Sequence, residues 1–275
     1  MNSIAFGRFG SALCRRSVVR HGMNDALQYH TPHAIVFKPL RGMSSNTSQG
    51  FFLVFADPGD NVAEVEFNDW YENEHIPLRV EISSFKSWDR WAQADGQKPR
   101  YAATYDLETP DALDKPDYAS LAQTRSQREK DILSKVGCVD RRVYEAYTSP
   151  IPAPTPSQKK PGIVVFNSMS LTADKEEEFH RWYHEEHIPM LAKCPGWIRS
   201  RRFVLKSWDR TGQEGSKDRT EPPKFLAVHE WESDAVFQTE EYKQSVSTEW
   251  MVKVLEGVVN KERRVFKFLR AWQRG

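Results

Sequence analysis

No apolar run in this 275-residue chain approaches the roughly twenty residues needed to cross a bilayer, and the mean hydropathy is −0.67, which argues against a membrane span. Cysteine is scarce. Cys14, Cys138 and Cys194 lie too far apart for zinc-finger spacing, and three thiols cannot complete a disulfide framework, so a reducing, intracellular compartment is the simplest fit. Neither sign of charge prevails: 39 basic and 38 acidic side chains leave a net +1, with no field to steer a polyanion, and no nucleic-acid partner is expected. The phosphate-cradling signatures G-x-G-x-x-G and G-x-x-x-x-G-K-[ST] and the nucleophile elbow G-x-S-x-G are all missing, so nucleotide cofactors and serine hydrolysis have no support, and no cofactor is expected.

Acids are also missing from the opening stretch. Arg8, Arg15, Arg16 and Arg20 all precede the first acid, Asp25, among Ser, Ala and apolar residues. Residues 1–45 read either as a mitochondrial import leader or as a disordered basic arm, with inclusion in the folded body a third reading; without an import signal the chain is expected in the cytoplasm. The stretch GMSSNTSQG, residues 42–50, reads as a flexible join.

What the sequence does contain is a repeat. FNDWYENEHIP (67–77) returns as FHRWYHEEHIP (179–189), and with the glutamate preceding each phrase, eight of twelve positions are identical at an offset of 112. Short apolar runs FFLVF (51–55) and IVVF (163–166) precede the two phrases with strand character. Downstream, YAATYDLE (101–108) matches FLAVHEWE (225–232) and RRVYEAY (141–147) matches RRVFKFL (263–269). The offset has grown to 124 at the first of these pairs, which places about a dozen extra residues in the second copy, at the polar loop 211–223. KSWDR occurs at 86–90 and 206–210 but fits neither register and reads as coincidence.

Each copy therefore predicts strand, helix, a strand at about 84–92 or 197–206, strand, helix at about 116–135 or 239–257, strand. That is the split β-α-β-β-α-β pattern of an α+β unit. One such sheet has a bare face that must be covered, and the second copy is the obvious cover. The units are placed at 50–148 and 162–272, joined by a proline-rich linker at 149–161. The stretch 148–161 holds five prolines and reaches roughly 40 Å as polyproline II, enough to span a small domain. Two sheets packed face to face or closed into a barrel are expected; two independent beads are the alternative.

The repeated helix carries the candidate site. Asn61 with Glu64 has capping-box spacing, Thr172 is a candidate N-cap, and Pro77 and Pro189 are expected to stop the helices. Phe67, Trp70, Tyr71 and Glu74 share one arc, as do Phe179, Trp182, Tyr183 and Glu186. A carboxylate on an apolar arc suits either general acid–base work or structural pinning to loop N–H groups or to Arg90 and Arg202. His75 and His187 suit either helix C-capping or proton transfer. Arg202 suits an anionic or phenolate-like ligand, or a pair with Glu186. His180, His184 and His187 stand at i, i+4 and i+7 and are weak candidates for a metal; no metal centre is expected. Along WIRSRRFVL, alternation puts Trp197, Arg199, Arg201 and Phe203 on one face and Ile198, Ser200, Arg202 and Val204 on the other.

The phrase F-x-x-W-Y-x-x-x-H-I-P, followed in copy two by PGW at 195–197 and then Arg202, resembles the EthD-like group of the dimeric α+β barrel superfamily. Copy one departs, with SSF at 83–85 in place of PGW. The resemblance implies ferredoxin-like units packed sheet to sheet, here as a single-chain pseudo-dimer that could itself form a homodimer. It further implies a small-molecule pocket between sheet and helices and cofactor-independent proton-transfer chemistry (decarboxylation, dehydration or oxygenation) on an aromatic or polyketide-like substrate. Under it His187, His75, Glu186 and Arg202 are the expected catalytic residues, and Trp182, Tyr183, Trp70, Tyr71 and Trp197 the expected substrate-binding ones. Two further readings remain: a non-catalytic module for an apolar ligand, and a structural pseudo-dimer with a solid aromatic core.

Overall fold

The computed structural model describes residues 49–275, so the expected leader and most of the 42–50 join lie outside the described residues. The first half runs β1 (Gly50–Asp57), α1 (Glu64–Trp70), a π turn (Tyr71–His75), α2 (Ile76–Val80), β2 (Trp88–Gln93), β3 (Tyr101–Leu107), α3 (Pro116–Ala119), α4 (Gln127–Lys135) and β4 (Cys138–Ala146). The second half repeats it: β5 (Ile163–Leu171), α5 (Glu176–Trp182), a π turn (Tyr183–His187), α6 (Ile188–Leu191), β6 (Trp197–Thr211), β7 (Phe225–Trp231), α7 (Glu240–Ser245), α8 (Glu249–Leu255) and β8 (Val258–Trp272). Among the described residues, no helix is long and apolar enough to cross a membrane.

The eight strands are antiparallel and close into one barrel in the order β1-β3-β2-β8-β5-β7-β6-β4. Each half supplies four neighbouring strands, and the seams β2–β8 and β4–β6 join the halves. A sheet edge left open would present unpaired N–H and C=O groups; pairing each half's edges with the other's removes them. The chain is thus a pseudo-dimeric α+β barrel, and the independent-bead alternative is overturned.

Strand alternation sorts the side chains. Phe51, Leu53 and Phe55 of β1 point inward, where they meet Phe166 of β5, Phe203 of β6, Leu226 of β7 and Phe266 of β8. Phe51 stacks on Phe203 with centroids 4.6 Å apart, and Phe55 on Phe266 at 5.6 Å, so the aromatic core is shared between halves. Each such fully buried side chain contributes about 1.5–3 kcal/mol relative to exposure. The outer faces of the strands pack beneath the helices, in separate clusters for the two halves.

The ladders align the halves residue by residue. Gly50 faces Leu107 and Glu145, just as Ile163 faces Trp231 and Lys267. Phe52 therefore corresponds to Val165, Tyr105 to His229 and Arg141 to Arg263. β6 runs past its counterpart β2, and its extension pairs with β4, Arg142 opposite Trp208. The second KSWDR lies in that extension, which confirms it as coincidence.

Local expectations fared less evenly. Helix α1 is capped by Ala63 without a side-chain bond, so the Asn61–Glu64 box does not form; Glu64 pairs with Arg100 and accepts from the Tyr101 hydroxyl instead. Thr172 precedes a short 3-10 turn and makes no side-chain cap. The second helix of each half is broken rather than continuous. Ser126 and Thr248 start new helices there, their hydroxyls accepting from the N–H of Glu129 and Met251.

Candidate functional site: two matched cavities

Pro77 and Pro189 do not stop the helices. Proline lacks the N–H that an α-helix requires, and in both halves the chain answers with a π turn just ahead of it. Ile76 N–H reaches back five residues to Tyr71 O and Ile188 N–H to Tyr183 O, after which the helix continues to Val80 and Leu191. Such turns are often found at functional positions. The extra residue shifts the phase of every side chain beyond it. His75 comes to lie against Trp70 at 4.6 Å and His187 against Trp182 at 4.4 Å. Neither histidine is a C-terminal cap, since neither is at a C-terminus.

Between each sheet and its helices lies a cavity, about 420 Å³ in the first half and about 480 Å³ in the second. Their walls correspond: His75 to His187, Tyr105 to His229, Tyr118 to Tyr242, Arg141 to Arg263. Both volumes fall in the range of small-molecule pockets. They speak against the reading of a solid aromatic core.

The histidines are fixed by acceptors. His75 Nδ1 lies 3.0 Å from Glu129 Oε1, and His187 Nδ1 lies 3.1 Å from the Ser245 carbonyl oxygen. Each acceptor calls for a proton on Nδ1, which leaves Nε2 with its lone pair. Burial pushes His187 down to about 4, with Arg202 adding to the shift and the bond to Ser245 opposing it. Burial likewise drives His75 well below its usual value, helped by the charges of Arg79, Arg141, Arg125 and Arg90. Beside His187, with ring centroids 5.8 Å apart, stands His229, also pushed well down by burial. Its Nδ1 is 2.9 Å from Ser200 Oγ, and its buried Nε2 has no partner among the described residues. Both cavities thus hold a neutral imidazole suited to accept a proton.

The other expected site residues divide between the cavities and the core. Trp70 and Tyr71 line the first cavity, whereas Trp182 and Tyr183 are buried core that does not line the second. Trp197 lies at a β-bulge that breaks the expected alternation; it packs on the helix side and donates to Ser200 Oγ at 3.2 Å, two hydrogen bonds from the second cavity. Glu74 and Glu186 accept from the Ser126 and Thr248 hydroxyls, and Glu186 also from Trp182 Nε1 at 3.1 Å. They tie the first helix of each half to the N-cap of the second, and neither lines its half's cavity.

Arg202 and Glu186 are not paired. Arg202 lies 4.2 Å over the Tyr183 ring, with nitrogens 2.8 Å from His180 Nδ1 and 3.4 Å from His184 Nε2. Its counterpart Arg90 lies 4.5 Å over Tyr71 and donates to Asn68 and Glu72, the residues matching His180 and His184. Burial lowers Arg202 to about 10. His180 and His184 thus hold a cation, while His187 turns to the cavity beyond, so the three do not converge on a metal. Among the described residues, no cluster of three His, Cys, Asp or Glu side chains could hold one.

Glu129, Arg79, Tyr105, His229 and Arg263 were not singled out from the sequence. For the two strand pairs a signal existed: aligning YAATYDLE with FLAVHEWE sets Tyr105 against His229, and RRVYEAY with RRVFKFL sets Arg141 against Arg263.

No protein-family model and no curated protein sequence matches the chain. Solved structures do match. An anthrone oxidase-like protein aligns with a TM-score of 0.56 at 14% identity, covering 84% of this chain and 95% of its own. A candidate monooxygenase of Fusobacterium nucleatum aligns at 0.51 and 7% identity, covering 84% and 96%. A chlorite dismutase variant from Candidatus Nitrospira defluvii aligns at 0.51 and 8% identity, covering 81% and 91%. At these identities the likeness establishes the fold, the dimeric α+β barrel, here in one chain.

Proposed function

From this fold and its paired cavities, we propose that the chain is a small-molecule enzyme that moves a proton on an enolisable aromatic or polyketide-like substrate without a cofactor, as in the EthD-like group that its helix phrase resembles. The observation that carries the reading is the histidine of each cavity, His187 buried and His75 mostly so, each neutral at pH 7 and held at Nδ1 so that Nε2 is the base. His187 and His75 take the proton from carbon. Charge developing on the substrate oxygen is met by Arg79 and Arg141 in the first cavity and by Arg263 in the second. Arg202 supports Tyr183 and the helix rather than the substrate, and Glu186 and Glu74 brace the helices. The product of such a step is an enolate or phenolate, electron-rich enough to lose carbon dioxide, expel a β-hydroxyl or react with oxygen.

The test is deuterium incorporation at the acidic C–H of 2-tetralone in heavy water, followed by proton NMR. The wild-type chain accelerates exchange, and the H75Q/H187Q double variant loses the acceleration while melting cooperatively. Exchange at the wild-type rate in a folded double variant would falsify the assignment.

A further inference from the structure

Although the two cavities match in position, the groups around their histidines do not. In the first half three guanidiniums surround His75. Arg79, 7% exposed, donates to the His75 carbonyl and lies 5.7 Å from the Tyr118 ring. Arg141 on β4 donates to the Tyr118 hydroxyl at 2.9 Å, and Arg125 comes from the turn before the Ser126 cap. None of the three forms an ion pair among the described residues, although this barrel pairs most of its buried arginines: Arg142 with Asp140, Arg264 with Asp95, Arg90 with Glu72. Two acids share the cavity wall with the three: Glu129, engaged by His75, and Asp209, which faces Arg141 across the β4–β6 ladder, so the arginines outnumber the acids by one.

At the matching places in the second half stand Leu191 for Arg79, Ser247 for Arg125 and Met251 for Glu129. Arg263 remains, donating to the Tyr242 hydroxyl, with exposed Lys261 and with Glu262 beside it. Two of the three arginines, and the glutamate, therefore belong to the first half alone. Arg79 is the buried one of the three, Arg141 is half-buried and Arg125 is exposed; a buried cation without a counter-charge is costly, and a ligand anion beside Arg79 would relieve that cost. Arginine is the side chain best suited to hold a carboxylate, through two parallel N–H donors.

We infer that the first-half cavity takes an aromatic acid, its carboxylate held by Arg79, Arg125 and Arg141 and its ring against Phe52, Tyr71 and Tyr105, while the second-half cavity makes no such demand. This rests on the proposed function for the identity of the base, but it concerns which ligand binds and is measured without turnover.

The experiment titrates the full chain with 1-naphthoate and with 1-naphthylmethanol by calorimetry at pH 7.5. Naphthoate is expected to bind at least roughly tenfold more tightly than the alcohol, and R125Q and R141Q each to weaken naphthoate by roughly tenfold while leaving the alcohol unchanged. R263Q, on the wall of the second cavity, should leave the preference for naphthoate over the alcohol unchanged. Arg125 is exposed, so R125Q tests the idea without threatening the fold. Equal affinities for the two probes, no naphthoate binding at millimolar concentration, or naphthoate binding that survives R125Q and R141Q but not R263Q would each overturn the assignment. H75Q separates the two proposals: it should abolish first-half exchange and leave naphthoate binding intact. Selective naphthoate binding by a chain that exchanges no deuterium would sink the proton-transfer reading and keep this one.

Discussion

Tyr105 on β3 and His229 on β7 occupy the same place in the two sheets, each buried against its half's cavity and each within reach of the tyrosine that follows the repeated tryptophan. The second half thereby sets two neutral imidazoles, His187 and His229, where the first sets one imidazole and a phenol.

The buried histidines should make the fold acid-sensitive. A histidine whose folded pKa lies below its unfolded value takes up a proton first in the unfolded chain, so stability is fully present above about 6.5 and is lost as pH falls from there through the folded pKa. For His187, lowered to about 4, the loss is on the order of 3 kcal/mol. His75 and His229 act in the same direction. Thermal midpoints should fall steadily between pH 6.5 and 4, and H187Q should flatten the slope. Asp57 and Asp95, lowered by their arginine and backbone partners, add a separate loss below about 3.8, where their carboxylates protonate.

Catalysis should tolerate the same acid better than an ordinary histidine would. If His187 is the base, the acid limb of kcat/KM for deuterium exchange falls near pH 4 rather than 6.5. A limb at 6.5 in the isolated second-half activity, read in an H75Q background, would point to a solvent-exposed base instead.

The matched arginines should differ in cost. Arg90 is fully buried and donates to Asn68 and to Glu72, which keeps Arg270 as a second partner, so R90M is expected to destabilise by about 2 kcal/mol. Arg202 leaves no carboxylate behind, and R202M should cost about 1 kcal/mol. Urea midpoints of the two variants give the comparison.

The glutamates of the repeated phrase should prove structural. T248A removes both an N-cap and the hydroxyl that Glu186 accepts from, and is expected to cost about 1–2 kcal/mol. E186Q should lower the melting midpoint by a few degrees and leave the exchange rate unchanged. A large fall in exchange by folded E186Q would return Glu186 to the chemistry.

Cutting the linker should not release the halves. The seams β2–β8 and β4–β6, with the shared aromatic interior, hold them together independently of the 149–161 connection. A protease site inserted near Thr155, once cleaved, should leave a complex that elutes as one species in size-exclusion chromatography.

The architecture was legible in the sequence because a repeat of eleven residues, a proline-rich spacer and period-two strands are local signals. The π turn was not, because an α-helical wheel has no place for an extra residue; at 100° per residue the wheel puts His187 about 140° from Trp182, whereas the structure stacks them. Glu74 and Glu186 stand out on the apolar arc, but their partners, Ser126 and Thr248, lie 52 and 62 residues away and only the fold brings them close. Arg90 and Arg202 match at the repeat offset and in the fold. Their surroundings were harder to foresee, since a histidine pair one turn apart reads as a metal ligand set until an arginine is found between them.

In a barrel made of two identical chains, every substitution appears twice, once on each side of the axis, and neither pocket can change without the other. The linker lifts that constraint. Asn68 and Glu72 against His180 and His184, Arg79 against Leu191, Glu129 against Met251: each pair shows one side of the barrel altered while its twin kept a different residue. A single polypeptide can in this way carry two specialised chambers on one shared aromatic spine.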